Sequence, residues 1–221
     1  MKLEISWQDA SGIERLSNAL GVLDSHKKHL ALQRAVNHTG AKAKTQVIRA
    51  LAKQTGLKSE VIRAAVKVNK AWGASADPEQ FARSLASKNR APGAQSLHYS
   101  LTTRGGDISL KHFKARETLR GVTASPFGER KLFPGTFIKG GRFPNRVTAS
   151  GLNGHVYEPE SNAKTGKSTW RRPVSFYDSG VIIPVEMLKG ATADAFTSVV
   201  NRHLANRVNH EINRLCPGIF V

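Results

Sequence analysis

The segment Gly166-Lys167-Ser168 has the residue types that end a nucleotide-binding P-loop, in which a lysine and a hydroxyl group hold phosphates and Mg²⁺. The first glycine of that pattern would fall where the chain has Ser161. A P-loop must also open a helix whose N-terminus faces the phosphates, whereas Thr169 to Pro173 has the residue types of a strand. The sequence therefore predicts no ATPase.

Other residue types that carry catalysis lack the spacing that catalysis needs. His26 and His29 could share a helix face, but no third metal ligand of the usual kind lies near them. Cys216, the single cysteine, has no activating neighbour and excludes an intrachain disulfide. Glu158 and Glu160 flank a proline in a predicted loop, which is a poor scaffold for acid–base chemistry. We predict no enzyme, no metal and no cofactor.

The charge of the chain is strongly unbalanced, with 34 Lys and Arg against 16 Asp and Glu and a formal net charge of +18. The excess lies in residues 1–172, because residues 173–221 hold equal numbers of each sign. Such a field favours nucleic acid, acidic membrane surfaces or acidic protein faces as partners. The N-terminus has no apolar signal region and no run reaches transmembrane length. We expect a soluble protein, made in the cytoplasm, with no membrane partner.

A long helix is predicted from Asp24 to Gln54, with Gly56 placed to end it. One face of this helix forms an apolar stripe: Leu32, Val36, Thr39, Ala43, Val47 and Ala50. The opposite face is basic: Lys27, Arg34, His38, Lys42, Arg49 and Lys53. A basic helix face is usually only solvated, but the sole acidic residue between Ser25 and Ala76 is Glu60. The imbalance favours an acidic partner.

The remaining pattern predicts an α+β fold in a single domain, residues 1–221, in which the long helix packs on a mostly antiparallel β-sheet and a C-terminal helix follows. Residues 73–95 are predicted to form a surface excursion. The expected elements are an edge strand at Leu3 to Trp7, a helix from Asp9 to Leu23, a helix from Leu57 that becomes a strand near Val66, strands at Ser96 to Leu101 and Asp107 to Leu110 around a turn at Arg104-Gly105-Gly106, further strands between Leu119 and Pro184, and a helix from Val185 to Leu215.

Residues 139–170 are predicted to form an extended, basic, glycine-rich loop, because strand periodicity fails there. The candidate contacts to nucleic acid or to an acidic partner lie on this loop, just after it and on the long helix: Arg34, Lys42, Arg49, Lys53, Arg142, Arg146, Lys164, Lys167, Arg171 and Arg172. Phe143, Tyr157 and Trp170 could stack on bases, but Trp170 and Phe176 fit a strand core equally well. Non-specific contact with a phosphate backbone is what this composition supports.

The C-terminal helix repeats apolar residues every four positions, so its stripe winds round the helix and exceeds what one surface can cover. Residues 216–221 form an apolar tail that needs a docking place, on this chain or on a neighbour. The predicted subunit contacts are Phe196, Val200, Leu204, Ile219, Phe220 and Val221.

Short matches over most of Leu30 to Leu215 give the chain a family resemblance. They are Ala35-Val36-Asn37, Ala41-Lys42-Ala43-Lys44-Thr45, Thr55-Gly56-Leu57-Lys58, Leu119-Arg120-Gly121-Val122, Pro134-Gly135-Thr136-Phe137-Ile138, Arg171-Arg172-Pro173-Val174 and Gly180-Val181-Ile182-Ile183-Pro184. In these features the chain resembles the minor tail protein Z family of tailed bacteriophages and prophages, also called tail completion proteins.

The resemblance implies a virion structural protein at the head-proximal end of the tail, forming a homo-oligomeric, hexameric ring around the DNA passage. Its implied partners are neighbouring neck and tail proteins, namely connector, terminator and tail tube, together with the passing genomic DNA, which it would contact without reading sequence. A second hypothesis, from the charge alone, is a non-specific nucleic-acid-binding protein. It predicts affinity for DNA that falls steeply with salt and with charge reversal at Arg34, Lys42 and Arg49.

Overall fold

The computed structural model of the chain describes residues 2–5, 25–72, 97–141, 144–148, 150–159 and 174–215. The chain divides into two compact units. Unit 1 consists of Met1–Ile48, Val66–Thr103 and Met187–Val221, and unit 2 consists of Arg49–Ala65 and Arg104–Glu186. The single domain that the sequence predicts for residues 1–221 stays a prediction.

Helices and antiparallel strands are both present, which confirms the predicted α+β class. The described helices are α1 (Ser25–Thr55), α2 (Ser59–Ala65), α3 (Ile183–Met187) and α4 (Gly190–Leu215). The described strands are β1 (Lys2–Ile5), β2 (Val66–Asn69), β3 (Tyr99–Thr103), β4 (Asp107–Ser109), β5 (Arg116–Thr118), β6 (Gly121–Ala124), β7 (Lys131–Pro134), β8 (Tyr157–Pro159), β9 (Val174–Phe176) and β10 (Asp178–Ile182).

Among the described residues of unit 1, three antiparallel strands form a sheet in the order β1-β3-β2. The register of both pairings is given by Leu101 on the central strand, which is paired with Leu3 of β1 on one side and with Val68 of β2 on the other. The predicted N-terminal edge strand is confirmed for residues 2–5, and so is the change from helix to strand at Val66. The helix expected from Asp9 to Leu23 and the excursion at residues 73–95 lie outside the described residues.

The long helix α1 has nearly the predicted limits and buries the predicted face. Leu32, Val36, Thr39, Ala43 and Val47 are all buried, because their spacing puts them on one side of the helix. The helix ends at Gly56 as predicted. Gly56 has a φ of +77° and its N–H donates to the Ala52 carbonyl at 3.0 Å, a left-handed helix end that glycine adopts without strain.

Gly40 brings the backbone of α1 into direct contact with the sheet of unit 1. A Cβ at this position would lie 2.3–2.6 Å from three ring carbons of Tyr99, a distance that real Cβ atoms essentially never show. Tyr99 is fully buried and belongs to the central strand β3. The prediction of a long helix packed on an antiparallel sheet is therefore confirmed, and the absence of a side chain at Gly40 permits the close contact.

The C-terminal helical region is divided, because α3 and α4 are separated at Leu188 and Lys189 rather than forming the one helix predicted from Val185. On α4, Glu211 is only 1% exposed and forms an ion pair with Arg207, one turn earlier on the helix. Longer contacts reach Glu211 from Arg214 at 3.8 Å and from His210 at 3.9 Å. All of these partners lie on α4 itself, so the buried carboxylate is balanced within its own helix.

The described part of unit 2 includes three short antiparallel sheets, β5-β6-β7, β4-β10 and β8-β9, together with α2 and the end of α1. Its fully buried apolar side chains come from these sheets, from the segments between them and from helices α1 and α2, and they include Leu51, Ile62, Leu110, Phe113, Val122, Ala124, Val156 and Val181. In the β4-β10 ladder, Asp107 accepts hydrogen bonds from the backbone N–H groups of Ser179 at 3.1 Å and Gly180 at 2.8 Å. This carboxylate stabilises the irregular pairing of β10.

The strands predicted on either side of Arg104-Gly105-Gly106 are present, but they pair with different partners: β3 pairs with β1 and β2, and β4 pairs with β10. The predicted loop at 139–170 also contains a strand, β8, which pairs with β9. Tyr157 anchors β8, since its ring contacts Phe137 on one side and Phe176 on the other, at centroid distances of 6.1 and 4.9 Å.

Candidate functional site

The predicted contact residues on α1 remain largely accessible. Lys42, Arg49 and Lys53 are exposed and Arg34 is half-buried. Within the described parts of the chain none of the four forms an ion pair. Partial burial of its ring lowers the pKa of His38, and Arg207 and Lys42 lower that pKa further, so His38 adds no charge to this face at neutral pH.

Of the predicted contact residues that follow α1, the structure describes Arg146, and it shows that this cation is paired. Nη1 of Arg146 forms an ion pair with Oε1 of Glu117 on β5, and the two side chains are 19% and 10% exposed. The other predicted cations, Arg142, Lys164, Lys167, Arg171 and Arg172, lie outside the described residues. Arg146, a predicted contact to nucleic acid or to an acidic partner, therefore already has an acidic partner within the chain.

A groove of about 480 Å³ lies beside this ion pair in unit 2. Its charged lining consists of Arg116, Lys139, Arg146 and Glu117, and Ile138 and Pro144 add apolar surface. The Ile138 N–H donates to Glu117 Oε1 at 3.2 Å, which ties the segment after β7 to β5. Sequence reasoning missed Arg116, Glu117 and Lys139. The signal available for Lys139 was its place, with Arg142 and Arg146, in one short glycine-containing stretch.

A second polar cluster in unit 2 has residue types found in hydrolases. His155 Nδ1 is 3.0 Å from Ser109 Oγ, and His155 Nε2 is 2.7 Å from Lys111 Nζ. A protonated lysine can only donate, so Nε2 accepts, and the neutral ring carries its hydrogen on Nδ1. Nδ1 therefore donates to Ser109 and cannot take a proton from its hydroxyl group. The cluster lacks the activated nucleophile that acyl transfer requires.

The same cluster predicts how stability depends on pH. Burial lowers the pKa of His155, and the nearby charge of Lys111 lowers it further; the pKa of His112 is lowered in the same way. Above the ordinary value of 6.5 each ring is neutral in both states. Below it the unfolded chain binds protons that the folded protein resists, so the free energy of unfolding falls as the pH approaches the lowered folded pKa.

We expect His155→Gln to make this fall between pH 7 and 5 shallower, because it removes one of the titrating groups. Lys111→Met should act in the same direction, since it removes a cation that lowers the pKa of His155. Urea unfolding at a series of pH values measures the effect. An unchanged pH dependence in both variants would contradict the assigned protonation state of His155.

The predicted subunit contacts on α4 are partly occupied within the chain itself. Phe196 and Leu204 are buried and Val200 is half-buried, while Ile219, Phe220 and Val221 lie outside the described residues. Exposed large apolar side chains occur instead mainly in unit 2, with Leu119 at 74%, Val147 at 70% and Phe176 at 60% exposure. Leu119 precedes Gly121 in a tight turn between β5 and β6, a place where an apolar side chain has no core to enter.

The described helices include none that is long and apolar enough to cross a membrane. Over the same residues, no group of three or more His, Cys, Asp or Glu side chains is placed to hold a metal ion. The described fold and surface are those of a basic α+β protein with exposed apolar side chains.

The chain belongs to the prophage minor tail protein Z family, whose sequence profile matches residues 12–215. Searches among curated proteins and among solved structures gave no match. Membership of this family gives the chain a structural role in a phage tail and a place in the virion. The family resemblance read from the sequence is confirmed.

Proposed function

We propose that the chain is a non-enzymatic tail completion protein that forms a homo-oligomeric, hexameric ring at the head-proximal end of the tail and joins tail to head around the DNA channel. The family match over residues 12–215 carries this proposal. Neck, connector, terminator and tail tube proteins would be its neighbours, and it would be assembled in the host cytoplasm and remain in the neck of the virion.

The exposed apolar side chains of unit 2 support self-association. Leu119 and Val147 are each at least 70% exposed, and such side chains gain about 1.5–3 kcal/mol when a neighbour buries them. A closed ring needs two different surfaces on each subunit that complement each other. The subunit contacts predicted from the sequence remain proposals: Phe196, Val200, Leu204, Ile219, Phe220 and Val221. Because Phe196 and Leu204 are buried within the chain, the exposed side chains of unit 2 are the better candidates for the contact between subunits.

We expect Leu119→Asp to raise the dissociation constant of the ring at least about tenfold, because it puts a charge where the neighbour would bury an apolar side chain. Leu188→Asp is the matched control, since Leu188 is also an exposed leucine but belongs to unit 1. Sedimentation across a range of protein and salt concentrations measures both variants and the original chain. A protein that stays monomeric at every concentration would contradict the ring.

A second candidate function is non-specific nucleic-acid binding by the free subunit. The observation that favours it is the row of exposed cations on α1, at Lys42, Arg49 and Lys53, which lack ion pairs among the described residues. A monomer that binds duplex DNA tightly, with affinity that falls steeply with salt and with charge reversal at Arg34, Lys42 and Arg49, would favour this candidate over the ring.

A further inference from the structure

The groove in unit 2 is formed by two segments that hydrogen bonds hold together. One side is β5, which carries Arg116 and Glu117, and the other is formed by Ile138, Lys139, Pro144 and Arg146. The backbone groups of Gly140 and Val147 exchange two hydrogen bonds, at 3.0 and 2.9 Å, and so close the turn between them. The position of Arg146 is therefore set by the backbone on one side and by Glu117 on the other.

Arg146 is fixed before any ligand arrives, because its partner Glu117 is itself held in place. Oε1 of Glu117 accepts both the Ile138 N–H and Nη1 of Arg146. Nε of Arg146 is buried and has no hydrogen-bond partner among the described residues. Arg146 therefore contributes a positive charge that Glu117 holds in place beside the groove.

The charge of the groove is positive even though one of its cations is paired. Among the described residues that line it, Arg116, Lys139 and Arg146 are basic and Glu117 is acidic. Arg116 and Lys139 are exposed, and among the described residues neither forms an ion pair. Two flexible cations beside one fixed guanidinium group are well suited to an anion that presents its charges at regular intervals.

We propose that this groove binds the phosphate groups of a duplex DNA backbone. None of the described residues that line it is aromatic, so this lining favours contact with phosphate groups over stacking with a base. Phosphate contact without base contact positions a duplex but reads no sequence. Unit 2 as a whole supports such contact, since its sequence holds 18 Lys and Arg against 8 Asp and Glu. The choice of duplex DNA as ligand rests on the proposed function, which places DNA beside the protein.

The test compares two charge reversals of equal size in the full-length chain. Arg116→Glu/Lys139→Glu changes the groove, and Lys58→Glu/Arg104→Glu changes two exposed cations of unit 2 outside the groove lining. Binding of a short duplex is measured across a salt series. We expect the groove variant to lose affinity roughly fiftyfold at about 0.1 M salt and to flatten the slope of log affinity against log salt by about 2, because each phosphate contact contributes about 0.9 to that slope.

The control variant should keep most of its affinity and an unchanged salt slope. Equal losses in both variants, or no loss in the groove variant, would overturn the proposal, and so would groove-dependent binding of polyglutamate as tight as that of DNA, which would point to an acidic protein partner. The oligomeric mass of the same samples separates this proposal from the ring. If a ring forms but DNA binding does not depend on the groove, only the DNA-binding proposal is contradicted. If DNA binding depends on the groove but the protein stays monomeric, only the ring is contradicted.

Discussion

Gly40→Ala is expected to destabilise the protein by about 3 kcal/mol, because the new methyl group would overlap the ring of Tyr99. Its Cβ would lie 2.3 Å from Cγ, 2.4 Å from Cδ1 and 2.6 Å from Cδ2 of that ring. The ring cannot withdraw easily, since Tyr99 is fully buried and its strand is hydrogen-bonded to β1 on one side and β2 on the other. Either α1 or the central strand must move.

The sign of this effect distinguishes packing from helix propensity. Replacing a glycine within a helix by alanine would by propensity alone stabilise it by about 1 kcal/mol. Ala41→Gly is the control, because Ala41 is exposed on the same turn of α1 and should cost about 1 kcal/mol through propensity alone. Urea unfolding of both variants gives the two free energies. Stabilisation by Gly40→Ala would contradict the close approach of α1 to Tyr99.

Arg207→Ala is expected to cost about 3 kcal/mol, because it leaves the carboxylate of Glu211 buried without its closest partner. The remaining partners are poor substitutes, since Arg214 and His210 are largely exposed and approach Glu211 only to 3.8 and 3.9 Å. Arg214→Ala is the matched control. We expect it to cost less than about 1 kcal/mol, as is usual for an exposed ion pair.

A double variant separates the buried charge from the loss of the Arg207 side chain. In Arg207→Ala/Glu211→Met the carboxylate is replaced by an apolar side chain, so most of the lost stability should return. Thermal unfolding of the single and double variants measures this recovery. A double variant no more stable than Arg207→Ala would contradict the account, because the cost would then lie in packing and not in an unpaired charge.

The helical part of the fold could be predicted from the sequence because its signals are local. The apolar stripe from Leu32 to Val47 predicts which face of α1 is buried, and Gly56 predicts where the helix ends. The pairing of strands is not local. β4 pairs with β10, which lies far along the chain. The sequence of Asp107 to Ser109 does not indicate whether this strand pairs with β10 or with the preceding strand. The short strand β8 likewise pairs with a later strand, β9, and its Tyr157 ring contacts the Phe176 ring of that strand.

The candidate site shows the same limit. The sequence identified Arg146 as a cation in a basic stretch, but its partner Glu117 lies 29 residues earlier, so the ion pair could not be predicted. The sequence predicts a contact between subunits for the apolar stripe of α4, because four-residue spacing does not indicate which neighbour covers it. Phe196 and Leu204 are in fact buried in the chain. Exposed apolar residues such as Leu119 and Val147 carry no periodic pattern, and only the structure reveals them.

The location of the chain in assembled particles tests the central proposal most directly. Electron microscopy of purified virions, with the chain carrying a small tag for gold labelling, would show where it lies. The proposed function predicts a symmetric ring at the head-proximal end of the tail, around the DNA channel. Label at the distal tip of the tail, or a chain absent from complete virions, would contradict the proposed role in joining tail to head.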